Sequence, residues 1–318
     1  MPQQTAPKRT VEQHVTLVRE TLDRAVTKRL MSDVPLGAFL SGGLDSSAIV
    51  ALLRPHVDEL HTFSVGMEGS PDLDAARTVA RHLDTVHHEY VLTSDEIAGL
   101  LPEILYHLES FDQDLVRSAV PCYFAARLAA SEVKVILTGE GADELFAGYR
   151  YYHDYEDPTL FGRELRRSVQ SLHNINLQRV DRMTMAHSIE GRVPFLDVEM
   201  IELAQTIPPR LKLRRNGGPK AIEKWGLRKA CEDLLPADIV WRDKEQFYDG
   251  SGTVNLLSEI VAHWMPVAEA ERYAKLHPEC RLRSPEECLY HKILCEPYTD
   301  PSPILENVAR WTDRLAAG

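Results

Sequence analysis

A chain of 318 residues, 44% hydrophobic and 26% charged, has globular composition and the length for two modest cores or one large one, which excludes disordered, collagen-like and coiled-coil readings. Its 36 basic and 48 acidic residues leave a net charge of -12, which argues against a long nonspecific nucleic-acid footprint. No window approaches the roughly 18 consecutive apolar residues of a membrane helix; the run from Ala119 to Ala126 ends at Arg127.

The opening residues, Met1 to Arg9, lack the apolar core of a secretory signal, so a flexible leader over 1–10 and a cytoplasmic location are expected. Val11, Val15, Val18, Leu22, Val26 and Leu30 then recur at intervals of three and four, one apolar helical face. Leu36 to Leu40 is apolar without helical period and ends at Ser41-Gly42-Gly43, after which a helical reading resumes at Ser46. That order is strand, glycine turn, helix. His61 to Val65 reads as a second strand, Leu73, Ala76, Val79, Ala80 and Leu83 as a helical stripe, and Glu89 to Leu92 as a third strand. Helices are expected across 95–109 and 119–130, followed by the β-branched run Val133 to Leu137, which closes on Gly139-Glu140-Gly141. This alternation predicts an α/β protein with a parallel sheet flanked by helices on both faces. After Tyr152 strand signals fade and Pro194, Pro208-Pro209 and Pro236 interrupt the apolar periodicity. The chain from 11 to 318 is therefore read as a sheet-containing part over about 30–150 and a mostly helical part over about 151–318, with the polar stretch 150–175 as the place to try a boundary.

Cys122, Cys231, Cys280, Cys288 and Cys295 are an odd set without a C-x-x-C pair, so reduced thiols are expected rather than a disulfide framework. A metal shared by Cys280, Cys288 and Cys295 with His277 and His291 fits no familiar finger spacing. His87 and His88 are adjacent in a strand and point to opposite faces, so they are not expected to share a metal. Met183 and Met185, with Ile189, read as helix packing.

The two glycine turns carry the chemistry. Ser41-Gly42-Gly43-Leu44-Asp45-Ser46-Ser47 lies where a strand's carboxyl end meets a helix start, the place where open α/β sheets bind ligands. Glycines admit an anion close to the backbone, the two serines donate hydroxyls, and the helix start offers unpaired N–H groups. The turn has neither the lysine of G-x-x-x-x-G-K-[ST] nor the pattern G-x-G-x-x-G. A carboxylate beside phosphates would repel them unless a divalent cation stood between, which makes Asp45 a natural Mg²⁺ ligand. A plain serine cap on a glycine turn is the alternative. Thr138-Gly139-Glu140-Gly141-Ala142-Asp143-Glu144 repeats the arrangement, and if its strand neighbours the first, Asp143 and Asp45 can converge on one hard cation. Glu140, between glycines, is placed to act on a reacting group. An acidic helix-capping turn is the alternative there.

Ser41 to Ser46 resembles the pyrophosphate-binding S-G-G-x-D-S loop of the N-type ATP pyrophosphatases. Longer stretches resemble the synthetase domain of the glutamine-dependent asparagine synthetases: Asp33 to Ser47, Gly69 to Leu73, Thr138 to Tyr149, Arg192 to Asp197, and Lys244 to Gly250. The resemblance implies an adenine nucleotide alpha hydrolase-like fold and an AMP- and pyrophosphate-forming ligase. Such a ligase adenylates a carboxylate with ATP and Mg²⁺ and lets ammonia attack the acyl-adenylate. By matching position, Ser41, Gly42, Gly43, Asp45 and Ser46 would hold pyrophosphate, Val65 and Gly139 would line the nucleotide, and Asp45 and Asp143 would bind Mg²⁺. Glu140 would assist deprotonation of ammonia, and the Lys244 ammonium would stabilise charge on the adenylate oxygens. Arg117, Glu144, Tyr149, Asn176 and Arg179 are carried over as substrate-side residues, the arginines through their planar forks.

Full-length members of that family begin with a glutaminase domain. This sequence reaches synthetase-like residues within about 30 positions and has its first cysteine at 122, so nitrogen is expected from free ammonia, a separate glutaminase subunit or another amine. A small-molecule carboxylate and a second copy of the chain are the other partners considered; neither nucleic acid nor membrane is expected. Asn176 stands near a common aspartate, Ala147 replaces a common glycine, and Tyr248 replaces a common serine. An amide recognises an α-ammonium less well than a carboxylate does. The readings are therefore a ligase acting on aspartate or an analogue, a specialised amidotransferase or cyclase acting on another carboxylate as in the β-lactam synthetases, and an inactive nucleotide-binding scaffold for a glutaminase.

Overall fold

The computed structural model describes residues 9–215, 221–243, 250–312 and 314–315. Thr10 starts α1 (Val11–Thr27): its hydroxyl accepts from the Gln13 N–H while the Gln13 side chain takes the Thr10 N–H, a reciprocal capping box. Val18, Leu22 and Val26 are buried along the expected face, and the helix stops before Leu30. There follow β1 (Leu36–Phe39), α2 (Leu44–Leu53), β2 (His61–Gly66), α3 (Pro71–Leu83), β3 (Val86–Val91), α4 (Ser94–Leu108), α5 (Gln113–Ala129), β4 (Val135–Leu137), α6 (Ala142–Phe146), α7 (Pro158–Gln170), α8 (Asn176–Met185), β5 (Glu190–Arg192) and α9 (Val198–Thr206). Mostly helical segments follow as far as Leu305.

All five strands are parallel, in the order β3-β2-β1-β4-β5, with Ala38 opposite Thr62 on one side and Leu137 on the other. Strand order reverses between β1 and β4, so the loops leaving these two strands diverge and open a crevice at their carboxyl ends. Both faces of the sheet are covered, as expected. Ala38, Leu40, Val135 and Leu137 pack with Leu22 of α1, Ile49 of α2 and Met200 of α9. Val65 packs on the opposite side with Leu101 of α4, Val120 of α5 and Met183 of α8. Each such large side chain taken out of water stabilises the fold by roughly 1.5–3 kcal/mol before entropy is counted.

The second half departs from its mostly helical expectation at one structurally important place. β5 completes the sheet, and the short strands Arg214–Arg215 and Ala221–Ile222 pair antiparallel. Glu190-Gly191-Arg192 shows no apolar alternation because it is an edge strand held by its backbone: the Glu190 N–H donates to the Lys134 carbonyl at 2.9 Å and Thr138 donates to the Arg192 carbonyl at 2.9 Å. The polar stretch tried as a boundary is instead α7, which buries Phe161 and Leu165. None of the described helices is long and apolar enough to cross a membrane.

Candidate active site at the strand reversal

The first turn follows β1 directly. Gly42 has φ of 72°, and a Cβ there would lie 2.6 Å from the Ala75 Cβ, so the bend requires glycine for both conformation and space. The Ser41 N–H donates to the Ser46 hydroxyl at 3.1 Å, and the two hydroxyl oxygens are 3.0 Å apart. Gly43 opens α2 without a side-chain cap, which leaves the first-turn N–H groups available for an anion.

The second turn packs against the first. A Cβ on Gly139 would lie 2.9 Å from the Asp45 Cβ and 3.0 Å from the Ser46 nitrogen, so the two turns touch through the missing side chain. Asp45 and Asp143 thereby converge on one cation, which in this structure is the Lys224 ammonium: it pairs with Asp45 and lies 2.5 Å from the Asp143 carboxylate. Lys224 is 1% exposed and left-handed at φ of 54°, and its N–H donates to the Phe146 carbonyl at 3.2 Å. Sequence reading missed it, since nothing local sets it apart from Lys220 and Lys229. Two carboxylates from separate turns meeting on one positive centre form the all-oxygen donor set that suits a hard cation such as Mg²⁺.

Farther along the same cavity the Arg179 guanidinium pairs with the Glu140 carboxylate, and Arg179 is buried on α8. The Tyr149 hydroxyl donates to Glu144 Oε1 at 2.6 Å, and the Asn176 amide donates to that oxygen at 3.1 Å and to the Tyr149 oxygen at 3.0 Å. Burial, and then the charge of Asp143, push the Glu144 carboxyl up to about 7. The Trp311 ring stands edge-on to Tyr149 at 5.0 Å, and both rings line the cavity with Val65. Ala147 is left-handed at φ of 61°, which accounts for the glycine common at that position. Burial pushes the Cys122 thiol in the wall up to about 12, so it is no nucleophile at neutral pH.

Ser41, Asp45, Ser46, Val65, Gly139, Glu140, Asp143, Tyr149, Asn176 and Arg179 thus come together around one cavity, with Glu144 bonded to Tyr149 and Asn176. Arg117 lies behind the cavity wall: it is not among the lining residues, its fork grips Glu286 through contacts of 2.8 and 2.5 Å, and it lies 3.7 Å from Asp114, which lines the cavity. Lys244, like Tyr248, lies outside the described residues. The described residues flanking that segment reach the first turn and α3: Arg242 pairs with Asp72 at 2.8 Å, and the Ser70 hydroxyl donates to the Gly250 carbonyl at 2.7 Å.

All five cysteines are thiols. Cys280 and Cys295 approach the His291 ring, with sulfurs 3.2 and 3.7 Å from Nε2, whereas Cys288 turns toward the Ala270 carbonyl in the core. His87 and His88 do face opposite ways, His87 toward Thr62 and His88 toward His61. Met183 is fully buried as helix packing, but Met185 is exposed.

A doubly covered parallel sheet whose reversal point carries two touching glycine turns places the molecule in the α/β class of ATP pyrophosphatase-like folds. Residues 17–160 and 154–283 match the family model for asparagine synthase. A Dictyostelium discoideum protein named probable asparagine synthetase (glutamine-hydrolyzing) is 37% identical over 324 residues, covering 94% of this chain and 58% of that protein. Asparagine synthetase B (glutamine-hydrolyzing) of Escherichia coli (strain K12) is 37% identical over 302 residues, covering 90% of this chain and 54% of its own. A Zea mays asparagine synthetase (glutamine-hydrolyzing) is 43% identical over 251 residues, 74% of this chain and 42% of its own. The chain belongs to the asparagine synthase family, and it spans about half the length of these relatives.

Proposed function

We propose that this chain is an ATP-dependent amide-forming ligase that adenylates aspartate or a close analogue, releases pyrophosphate and passes ammonia to the acyl-adenylate. The observation that carries the reading is the convergence of Asp45 and Asp143, from two separate turns, beside Glu140 and Arg179 in one cavity. A carboxylate oxygen is a very poor leaving group; joined to AMP it leaves readily, and the nitrogen then forms the amide bond as the acyl–oxygen bond to AMP breaks.

In this reading Ser41, Gly42, Gly43 and Ser46 bind the pyrophosphate end of ATP through hydroxyls and the uncapped start of α2, while Val65 and Gly139 line the nucleotide. Asp45 and Asp143 would hold Mg²⁺, which supplies positive charge against the phosphate oxygens. Lys224 keeps the two carboxylates from repelling one another. Arg179 orients the Glu140 carboxylate, which takes a proton from the incoming ammonia. Lys244 is assigned to the adenylate oxygens. Glu144, Tyr149 and Asn176 recognise the acceptor, with Arg179 at its carboxylate end. Nitrogen arrives as ammonia or from a glutaminase.

Asn176 supports a second reading, a different carboxylate acceptor. Its uncharged amide donates to Glu144 Oε1 and to the Tyr149 oxygen, and it offers an α-ammonium less negative charge than an aspartate would provide. Purified protein with ATP, Mg²⁺, ammonium and a panel of carboxylates should release pyrophosphate and AMP, and Asp45→Ala should reduce this by about a hundredfold or more. Release of ADP and orthophosphate would reject the adenylate route, and the panel decides between the two acceptor readings.

A further inference from the structure

At the amino ends of the strands, away from the crevice, the sheet carries a cluster that the ligase reading does not use. His61 opens β2, and His88 lies on β3 opposite Phe63, a diagonal neighbour on the same face. His61 Nδ1 and His88 Nε2 face each other at 2.9 Å, with ring planes within 14°. Glu132, exposed in the loop between α5 and β4, brings a carboxylate oxygen to this pair, so that one donor atom from each of the three residues lies within 4.8 Å of the others. Glu59 stands behind His61, with Oε1 3.3 Å from Nε2. Phe63 stacks on His88 with centroids 5.0 Å apart and gives the cluster an apolar floor.

We propose that His61, His88 and Glu132 form a binding site for a divalent transition-metal ion, zinc being the fitting example, with Glu59 orienting His61. Two imidazoles and one carboxylate suit zinc, cobalt or nickel rather than the hard cation suited to Asp45 and Asp143. Zn–N bonds of about 2.0–2.1 Å at a tetrahedral angle put two ring nitrogens about 3.3 Å apart, so the 2.9 Å pair must open by only a few tenths of an ångström. With Nδ1 on the metal, His61 presents Nε2–H to Glu59, the carboxylate–imidazole–metal relay that fixes ring orientation in metal sites. His87 takes no part, since it faces Thr62 and Glu89 on the other side of the sheet.

The site adjoins the nucleotide cavity through Phe63, which stacks on His88 and also lines that cavity. Its test needs no ligase activity. Chelator-treated protein is titrated with Co²⁺ alone and followed by visible absorption, in a Cys280→Ser, Cys295→Ser background that removes the thiols beside His291. The expected result is tetrahedral Co²⁺ bands saturating at a single ion per chain and displaced by Zn²⁺. His88→Ala should abolish them, Glu132→Gln and Glu59→Gln should each weaken binding by about tenfold or more, and His87→Ala should leave it unchanged. Glu132 and Glu59 are exposed, so their variants test the site even if His88→Ala fails to fold. Absence of the bands in the parent protein, or Co²⁺ affinity in Glu132→Gln and Glu59→Gln equal to that of the parent, overturns the site.

Discussion

Glu144 is the residue whose environment departs furthest from what its position in an acidic turn suggests. It is 2% exposed, and its carboxyl is raised from an ordinary 4.5 to about 7 by burial and then by Asp143. The folded chain therefore holds this proton to higher pH than the unfolded chain, and folding takes up a proton between those two values. Stability should fall as pH rises through that window and level off above about 7, by at most about 3 kcal/mol from this one group. Urea unfolding of the protein and of Glu144→Gln between about pH 4 and pH 8 isolates the effect as the difference between the two curves. The native chain should lose stability relative to the variant as pH rises; a flat difference would mean that Glu144 is not buried as an acid. Lys224 teaches the complementary lesson at this scale. Its role comes from Asp45, Asp143 and Gly148, all far from Lys224 in the chain, where a Cβ on Gly148 would lie 2.2 Å from the Lys224 Cε. No local pattern could have singled it out.

Among the elements, α5 connects core to cavity through one carboxylate. Asp112 caps it by accepting from the Leu115 N–H at 3.1 Å, while its other oxygen accepts from Arg283 at 2.7 Å and from the Trp311 N–H at 3.3 Å. The same residue thus starts the helix and helps position the indole that stands against Tyr149. Asp112→Ala should cost about 1–2 kcal/mol from the cap alone, and more from the Arg283 charge left unpaired. Chemical denaturation should show that loss together with a shifted Trp311 emission; unchanged emission would detach the cap from the cavity wall. Most of the architecture was legible in the sequence where apolar period and glycine turns coincided. β1 and β4 end on Ser41-Gly42-Gly43 and Gly139-Glu140-Gly141, and backbone conformation there demands glycine at Gly42. β5 was not legible, because an edge strand of Glu190-Gly191-Arg192 is defined by the carbonyls beside it rather than by apolar side chains. Arg117 shows a related limit: a helix arginine looks the same in sequence whether it lines a cavity or, as here, stands behind its wall gripping Glu286 from the distant helix Pro285–Cys295.

For the whole molecule, the two larger apolar cores are each built from both halves of the chain. One joins Val18, Leu22, Ala38 and Ile49 to Phe195, Met200, Leu227 and Val240, and the other joins Leu101, Val116 and Val120 to Met183, Leu257 and Tyr290. β5 ties the halves further by pairing with β4. Neither half can bury its share of the sheet alone, so removing one face's helices would expose strands that are apolar on both sides. The chain should therefore unfold as one cooperative unit despite its length: in variants with Trp241 and Trp264 changed to Phe, emission from Trp225 and Trp311, which belong to opposite faces, and far-UV circular dichroism should give coincident urea transitions. Two separated transitions, with one tryptophan reporting before the other, would show that one face of the sheet opens independently. The crevice would then sit on a hinge, because its two turns leave strands β1 and β4, which are packed against both faces.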